Sequence, residues 1–341
     1  MRRSFLGLGL LGAACASSVA TKPTPFGERP VQCVLEVPSG AHVSADPDPL
    51  SRDVHISHPT LGAWKHTVDP LCSAPEHAPA PSRRTLPPPS AAAAAAAQRP
   101  RANSDCNDMP CTCATLPCNN WIDNAGYMLD PPDAGPFIGG FSTVMSVPGT
   151  PKQPNGGQTL FYFPGAENTD GTPRTGGGSP GPDRAILQPV LTYGPQSNCV
   201  GAAPASETGW CIASWYCCPK NLTVHSPYLG DVAPGESWLG LFNLTAPGLY
   251  ETVSRNTATG QETKLSCPRE GRNFNWADVT LEVYGAATCP MFAVGPMSFT
   301  QLAMWDEHHR PMEPQWLTTG SKPCGGKITV DNKTSITIEH S

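Results

Sequence analysis

Three side chains in this sequence have the types and spacing to move a proton at an amide bond. Gln188 closes the apolar run Ala185-Ile186-Leu187-Gln188, and Asp278 and Glu282 lie about ninety residues on, within Asp278-Val279-Thr280-Leu281-Glu282-Val283-Tyr284. At the strand period, Asp278, Thr280, Glu282 and Tyr284 share one face, while Val279, Leu281 and Val283 share the other. A carboxylate can take a proton from water, and an amide facing it can hold the oxyanion that forms. Such a pair is a hydrolytic centre without metal, serine or cysteine. Two plainer assignments compete with it. A solvated sheet face tolerates two carboxylates. A Gln bonded to backbone would equally offset the ~1–3 kcal/mol cost of burying a bare amide.

The elements that must position these residues are strands. The 341 residues include 40 Pro and 33 Gly, and only 15% are charged, which argues for many short strands and ordered loops rather than helices. Strand patterns punctuated by turn residues run over 141–147, 158–163, 184–193, 210–218, 238–244, 261–265, 278–284, 297–305, 327–330 and 335–339. This is the pattern of an all-β sandwich over 137–341. The net charge of −6 gives no basic footprint, so nucleic acid is excluded as a partner.

Residues 1–20 read as a secretory signal: Arg2 and Arg3, an apolar stretch from Phe5 to Ala14, then Ser18-Val19-Ala20 as a small-x-small cleavage site. No segment supplies the roughly 20 continuous apolar residues a membrane helix needs. The sequons at Asn221, Asn243 and Asn332 mark candidate glycosylation sites and fit a secreted, extracellular glycoprotein. Of the 14 Cys, 13 remain after cleavage behind Ala20; in that compartment they are disulfides first, and the odd count leaves one free, paired between chains or removed with a pro-region. Residues 21–105, rich in Pro and carrying the alanine run Ala91–Ala97, read as a disordered pro-region or linker. Within it, Val31–Val37 is a short strand candidate, Cys33 can pair with Cys72, and Arg83-Arg84 is a candidate processing site. Residues 106–136 hold Cys106, Cys111, Cys113 and Cys118 and read as a disulfide staple; their spacing does not suit zinc.

Three other motifs carry less. Gly177-Gly178-Ser179-Pro180-Gly181 fits the Gly-x-Ser-x-Gly pattern, but Pro180 lacks the N–H that a nucleophile elbow uses. Asp306-Glu307-His308-His309 has metal-ligand residue types on what reads as a surface loop. Cys217-Cys218 reads as two structural cysteines, each with a disulfide partner elsewhere.

From Phe141 to about Gln301 the chain resembles the fungal glutamic peptidases, the eqolisins. Their Ala-Ile-Leu-Gln is matched by Ala185–Gln188, and their aromatic cleft motif is similar to Ala213-Ser214-Trp215-Tyr216-Cys217-Cys218-Pro219. Their Thr-Thr-Gly-Gln turn resembles Thr257–Gln261, and their Ala-Glu-Trp-Ile-x-Glu-Asp-Phe lies over Ala277–Tyr284. A closing segment runs from Phe292 to Thr300. The five matches fall in order. The departures fall at the chemistry: Asp278 stands where the family has its catalytic Glu, Glu282 matches a second acid, and Tyr162-Phe163-Pro164-Gly165 replaces a Trp-centred strand.

The resemblance implies a concanavalin A-like jelly roll and an acid endopeptidase in which Asp278, or Glu282 in a shifted register, activates water and Gln188 holds the oxyanion. Tyr162, Trp210, Trp215 and Tyr216 are candidate substrate contacts, with ordinary core packing as their other reading. The expected partner is a peptide, with no cofactor, no metal and a monomeric state. The alternative is a non-catalytic secreted sandwich that binds carbohydrate or another surface ligand on its concave face, its aromatics stacking on sugar rings.

Overall fold

The computed structural model describes residues 20–73, 118–129, 136–168, 185–195, 208–246, 248–269, 272–320 and 323–340. Within these, the N-terminal segment contributes β1 (Thr21–Thr24), β2 (Gly27–Pro30), β3 (Val34–Glu36), β4 (Ala41–Ala45), β5 (Asp53–His58) and β6 (Gly62–Thr67). Then come β7 (Cys118–Met128), β8 (Ile138–Ser146), β9 (Thr159–Glu167), β10 (Ile186–Pro195), β11 (Thr208–Cys217), β12 (Thr223–His225) and β13 (Leu229–Val232). The chain continues through β14 (Ser237–Ala246), β15 (Leu249–Asn256), β16 (Glu262–Pro268), β17 (Trp276–Ala286) and β18 (Met297–Asp306). It ends in β19 (Pro311–Met312), β20 (Leu317–Gly320), β21 (Lys327–Asn332) and β22 (Ser335–Glu339).

Two sheets form a sandwich, as the strand and turn pattern predicts. A nine-stranded sheet runs β20-β7-β17-β9-β10-β11-β12-β3, with β13 also on β11. An eleven-stranded sheet runs β21-β22-β18-β8-β14-β15-β16-β4-β5-β6, with β19 on β18. The apolar core between them takes Leu187, Leu191, Val279, Leu281 and Val283 from one sheet and Phe141, Met145, Phe242 and Tyr250 from the other. Strands of the eleven-stranded sheet alternate buried and half-exposed residues, as in β16 and β14. Central strands of the nine-stranded sheet do not: β9 is buried at every position, and β10 and β17 at all but one. Their outer face therefore carries a cover, and a second apolar cluster lies there: Phe26, Phe161, Phe163, Ile186, Val190, Ala213, Trp215, Cys217, Cys218 and Tyr284.

Two boundaries differ from the sequence reading. Residues 20–73 are not a disordered linker. They extend both sheets at one edge, β3 running parallel to β12 and β4 parallel to β16, and Cys33 is bonded to Cys72. Their β-branched and alternating stretches, such as Asp53–His58, are outweighed in composition by the Pro that punctuates them. The sandwich also begins before residue 137, because β7 is a central strand paired with β17. Its Asn- and Asp-rich sequence hides a strand in which Asp123 and Asn124 meet buried side chains from other strands. The Cys-rich run up to residue 117, the 74–105 stretch with Arg83-Arg84, the leader and the Gly177–Gly181 motif lie outside the described residues.

Candidate active site

Register across the nine-stranded sheet brings the site together. Asp278 on β17 pairs with Gly126 on β7 and with Gly165 on β9. The β9–β10 register, fixed by Leu187↔Ala166 and Leu191↔Tyr162, sets Gln188 opposite Gly165, and Gln188 pairs in turn with Trp215 on β11. One row across the outer face thus reads Gly126, Asp278, Gly165, Gln188, Trp215. Gly165 is the position that lets the flanking side chains meet. A Cβ there would stand 2.5 Å from Asp278 Oδ1 and 3.3 Å from both Cγ and Nε2 of Gln188. The carboxylate and the amide thus converge over a residue with no side chain.

The two side chains are held very differently. Asp278 Oδ2 accepts hydrogen bonds from Asn124 Nδ2 (2.9 Å) and Thr280 Oγ1 (2.8 Å), and Asn124 Nδ2 also donates to Thr280 Oγ1 (2.6 Å). This fixes the plane of the carboxylate and turns Oδ1 toward Gln188. Gln188 is fully buried, and neither its Nε2 nor its Oε1 has a hydrogen-bond partner among the described residues. Leaving buried amide atoms unmade costs on the order of 1–3 kcal/mol. That outcome separates Gln188 from a structural amide, which would be bonded to backbone.

The backbone beside Gln188 is unusual for the middle of a sheet. Pro164 on β9 and Pro189 on β10 face each other, and ladder pairing lapses between Leu187↔Ala166 and Leu191↔Tyr162. Proline supplies no N–H to a ladder and is rare in central strands. Both rings point into the sandwich, where Gly240 of β14 admits them: a Cβ at 240 would lie 3.0 Å from each ring's Cγ. The ladder between β9 and β10 is thus interrupted at the amide and the two residues after it.

Other predicted site residues divide by strand parity. Glu282 is on the same face as Asp278, but its row contains Phe161 and its Oε1 accepts a hydrogen bond from Tyr284. Four strand residues separate it from Asp278, ~13 Å along β17, so it does not face Gln188. Trp215 lies on the site face, fully buried, with its ring 4.6 Å from that of His225. Tyr162, Trp210 and Tyr216 belong to the core between the sheets. These three therefore do not line the outer face as substrate or sugar contacts, because alternate residues of a strand face opposite ways.

The Asp306–His309 motif builds a turn: Asp306 Oδ1 accepts from the His308 and Arg310 backbone N–H groups, and the Arg310 side chain donates to its Oδ2. Cys217 and Cys218 are bonded to each other rather than to distant partners. Asn332 is exposed, Asn221 is half-buried, and the Asn243 side-chain oxygen accepts from Trp305 Nε1.

Three further buried polar residues lie on or beside this face: Asn124, Glu167 and His225. Asn124 lies on a strand hidden beside a Cys-rich segment. Glu167 is fully buried two residues beyond Gly165 on the same face, in a row with Trp276 and Ile186. His225 is buried under Trp215 and Tyr228, and burial lowers its pKa to about 3, with Lys22 adding to that shift and the bond from Nδ1 to Ser226 O opposing it.

No protein-family model and no curated protein sequence matches this chain. Among solved structures it is similar to scytalido-glutamic peptidase with a transition state analog inhibitor, at TM-score 0.43 and 13% identity, over 65% of this chain and 98% of that one. It is also similar to SCP-B, a member of the eqolisin family of peptidases in complex with the tripeptide Ala-Ile-His, at TM-score 0.37 and 12% identity, again over 65% and 98%. Both are likenesses in the path of the chain, and nothing about the chemistry of the Gln188–Asp278 row follows from them.

Proposed function

We propose that this protein is a secreted, glutamic-peptidase-like endopeptidase working at acid pH, with Gln188 and Asp278 as its catalytic residues. The convergence of amide and carboxylate over Gly165 is the observation that carries this reading. Asp278 Oδ1 takes a proton from a water whose oxygen attacks the scissile carbonyl carbon. The Gln188 amide N–H donates to the oxyanion that forms, and the buried surroundings strengthen that bond. Collapse of the intermediate breaks the C–N bond, and the proton held on Asp278 passes to the leaving amine. Asn124 and Thr280 hold the carboxylate in the orientation this requires. Secretion, and glycosylation at Asn221, Asn243 and Asn332, belong to the same reading, which the disulfides Cys33–Cys72 and Cys289–Cys324 support.

The test is peptide cleavage at acid pH by purified protein. Gln188→Ala and Asp278→Asn are each expected to lower kcat by ~100-fold or more, the scale of losing one oxyanion donor. Cleavage at the parent rate by either variant overturns the assignment.

A further inference from the structure

A row at 0% exposure admits no peptide while its cover is in place. Among the described residues, Phe26 of the N-terminal segment and Tyr228 pack against the Trp215 end of that row. Strands β1 and β2 form a hairpin in which Thr24 pairs with Gly27, so Pro25-Phe26 is its tip. The Phe26 backbone N–H donates to Thr24 Oγ1 (3.2 Å), and the ring meets Trp215 edge-on, with centroids 6.1 Å apart at 70°. Trp215 is the cross-strand neighbour of Gln188. Phe26 joins Ile186 and Val190, which flank Gln188, and Phe161 and Phe163, which lead away from Gly165 along β9, in one apolar cluster. The hairpin is pinned beside the site by the buried Arg29, whose guanidinium donates to Asn221 O.

We propose that this cluster is an aromatic side-chain subsite of the Gln188–Asp278 centre, and that Phe26 occupies it as an intramolecular competitor of a peptide carrying an aromatic residue. The inference rests on the peptidase reading of that centre. The chemistry of the walls sets the ligand class. Phe161, Phe163, Val190, Ala213 and Trp215 offer apolar surface and ring edges, which suit an aromatic group. An acidic side chain placed among them would be desolvated beside the buried acids Glu167, Asp278 and Glu282. Occupancy by Phe26 reduces apparent affinity for a free peptide in proportion to the fraction of molecules whose subsite is open.

The experiment measures binding, not turnover. Asp278→Asn protein, with and without Phe26→Ser, is titrated calorimetrically with acetyl-Ala-Ala-Phe-Ala-amide and with its all-alanine counterpart at mildly acid pH. Added Phe26→Ser is expected to tighten binding of the Phe peptide by ~10-fold or more, with the alanine peptide bound much more weakly. Equal affinity with and without Phe26→Ser, or no preference for the aromatic peptide, overturns the proposal. If circular dichroism shows that the Ser variant is unfolded, Phe26→Leu, which keeps apolar bulk and removes the ring, is read by the same two criteria. Binding that follows this pattern while Gln188→Ala cleaves at the parent rate would remove the catalytic reading alone. Loss of cleavage in Gln188→Ala without any aromatic preference would remove the subsite alone.

Discussion

Two neighbours on β7 face opposite ways and meet opposite fates. Asn124 points outward and holds Asp278, beside a buried amide left without a hydrogen-bond partner among the described residues. Asp123 points into the sandwich, where its Oδ2 lies 2.8 Å from His340 Nε2, while Phe292 stacks on the imidazole at 4.4 Å. The inward pair sets a carboxyl and an imidazole against each other inside the core. The outward row holds one partner rigidly and leaves the other unsatisfied. Buried polar groups that serve the fold are paired, so an unsatisfied one calls for another explanation.

Breaking the inward pair should have the largest effect on stability. His340→Ala is expected to cost ~3–5 kcal/mol, because the buried Asp123 carboxyl loses the imidazole set against it, whereas Asp123→Leu combined with His340→Leu should cost far less. Urea unfolding of the single and double variants gives both values. A single variant as stable as the parent would erase the contrast drawn here.

His225 should produce the next largest effect, seen in pH dependence. Its folded pKa, about 3, lies below the ordinary value near 6.5. Between those values the unfolded chain binds the extra proton, so stability should fall as pH drops from ~6.5 toward ~3, by up to ~1.4 kcal/mol per pH unit. Glu36, 4.0 Å away, and Lys22 face the same imidazole. Thermal melts of His225→Gln across that window should show this slope removed; an unchanged slope would place it elsewhere.

Gly165→Ala tests the outward row more finely. The added Cβ falls 2.5 Å from Asp278 Oδ1. A displacement of ~1 Å in a catalytic group is expected to lower cleavage by ~100-fold, with the fold retained in circular dichroism. The smallest effect expected is a gain. Gln188→Met removes the unsatisfied amide at similar volume and should stabilise the fold by ~1–2 kcal/mol while abolishing cleavage. A stability loss there would mean that the amide is satisfied after all.

Much of this was legible in the sequence. Period-two alternation placed Asp278 with Thr280 and set Gln188 in an apolar strand, and turn residues marked ten strands of the sandwich. Strand parity divides the aromatic candidates: Trp215 and Tyr216 are adjacent and cannot line one face. Asn124 was hidden because β7 is polar at the positions whose partners lie on distant strands. The role of Gly165 depends on a register between three strands far apart in sequence, which no local pattern carries. The N-terminal strands were masked by the prolines around them.

The parallel seams β3–β12 and β4–β16, with Val37 N bonded to His225 O and Gly40 N to Lys264 O, stitch the N-terminal piece onto the sandwich by backbone. Cys33–Cys72 closes that piece on itself. Scission at Arg83-Arg84 would therefore yield a two-fragment complex rather than a liberated domain. Its dissociation would become a question of dilution, with the cover leaving at low protein concentration and staying at high.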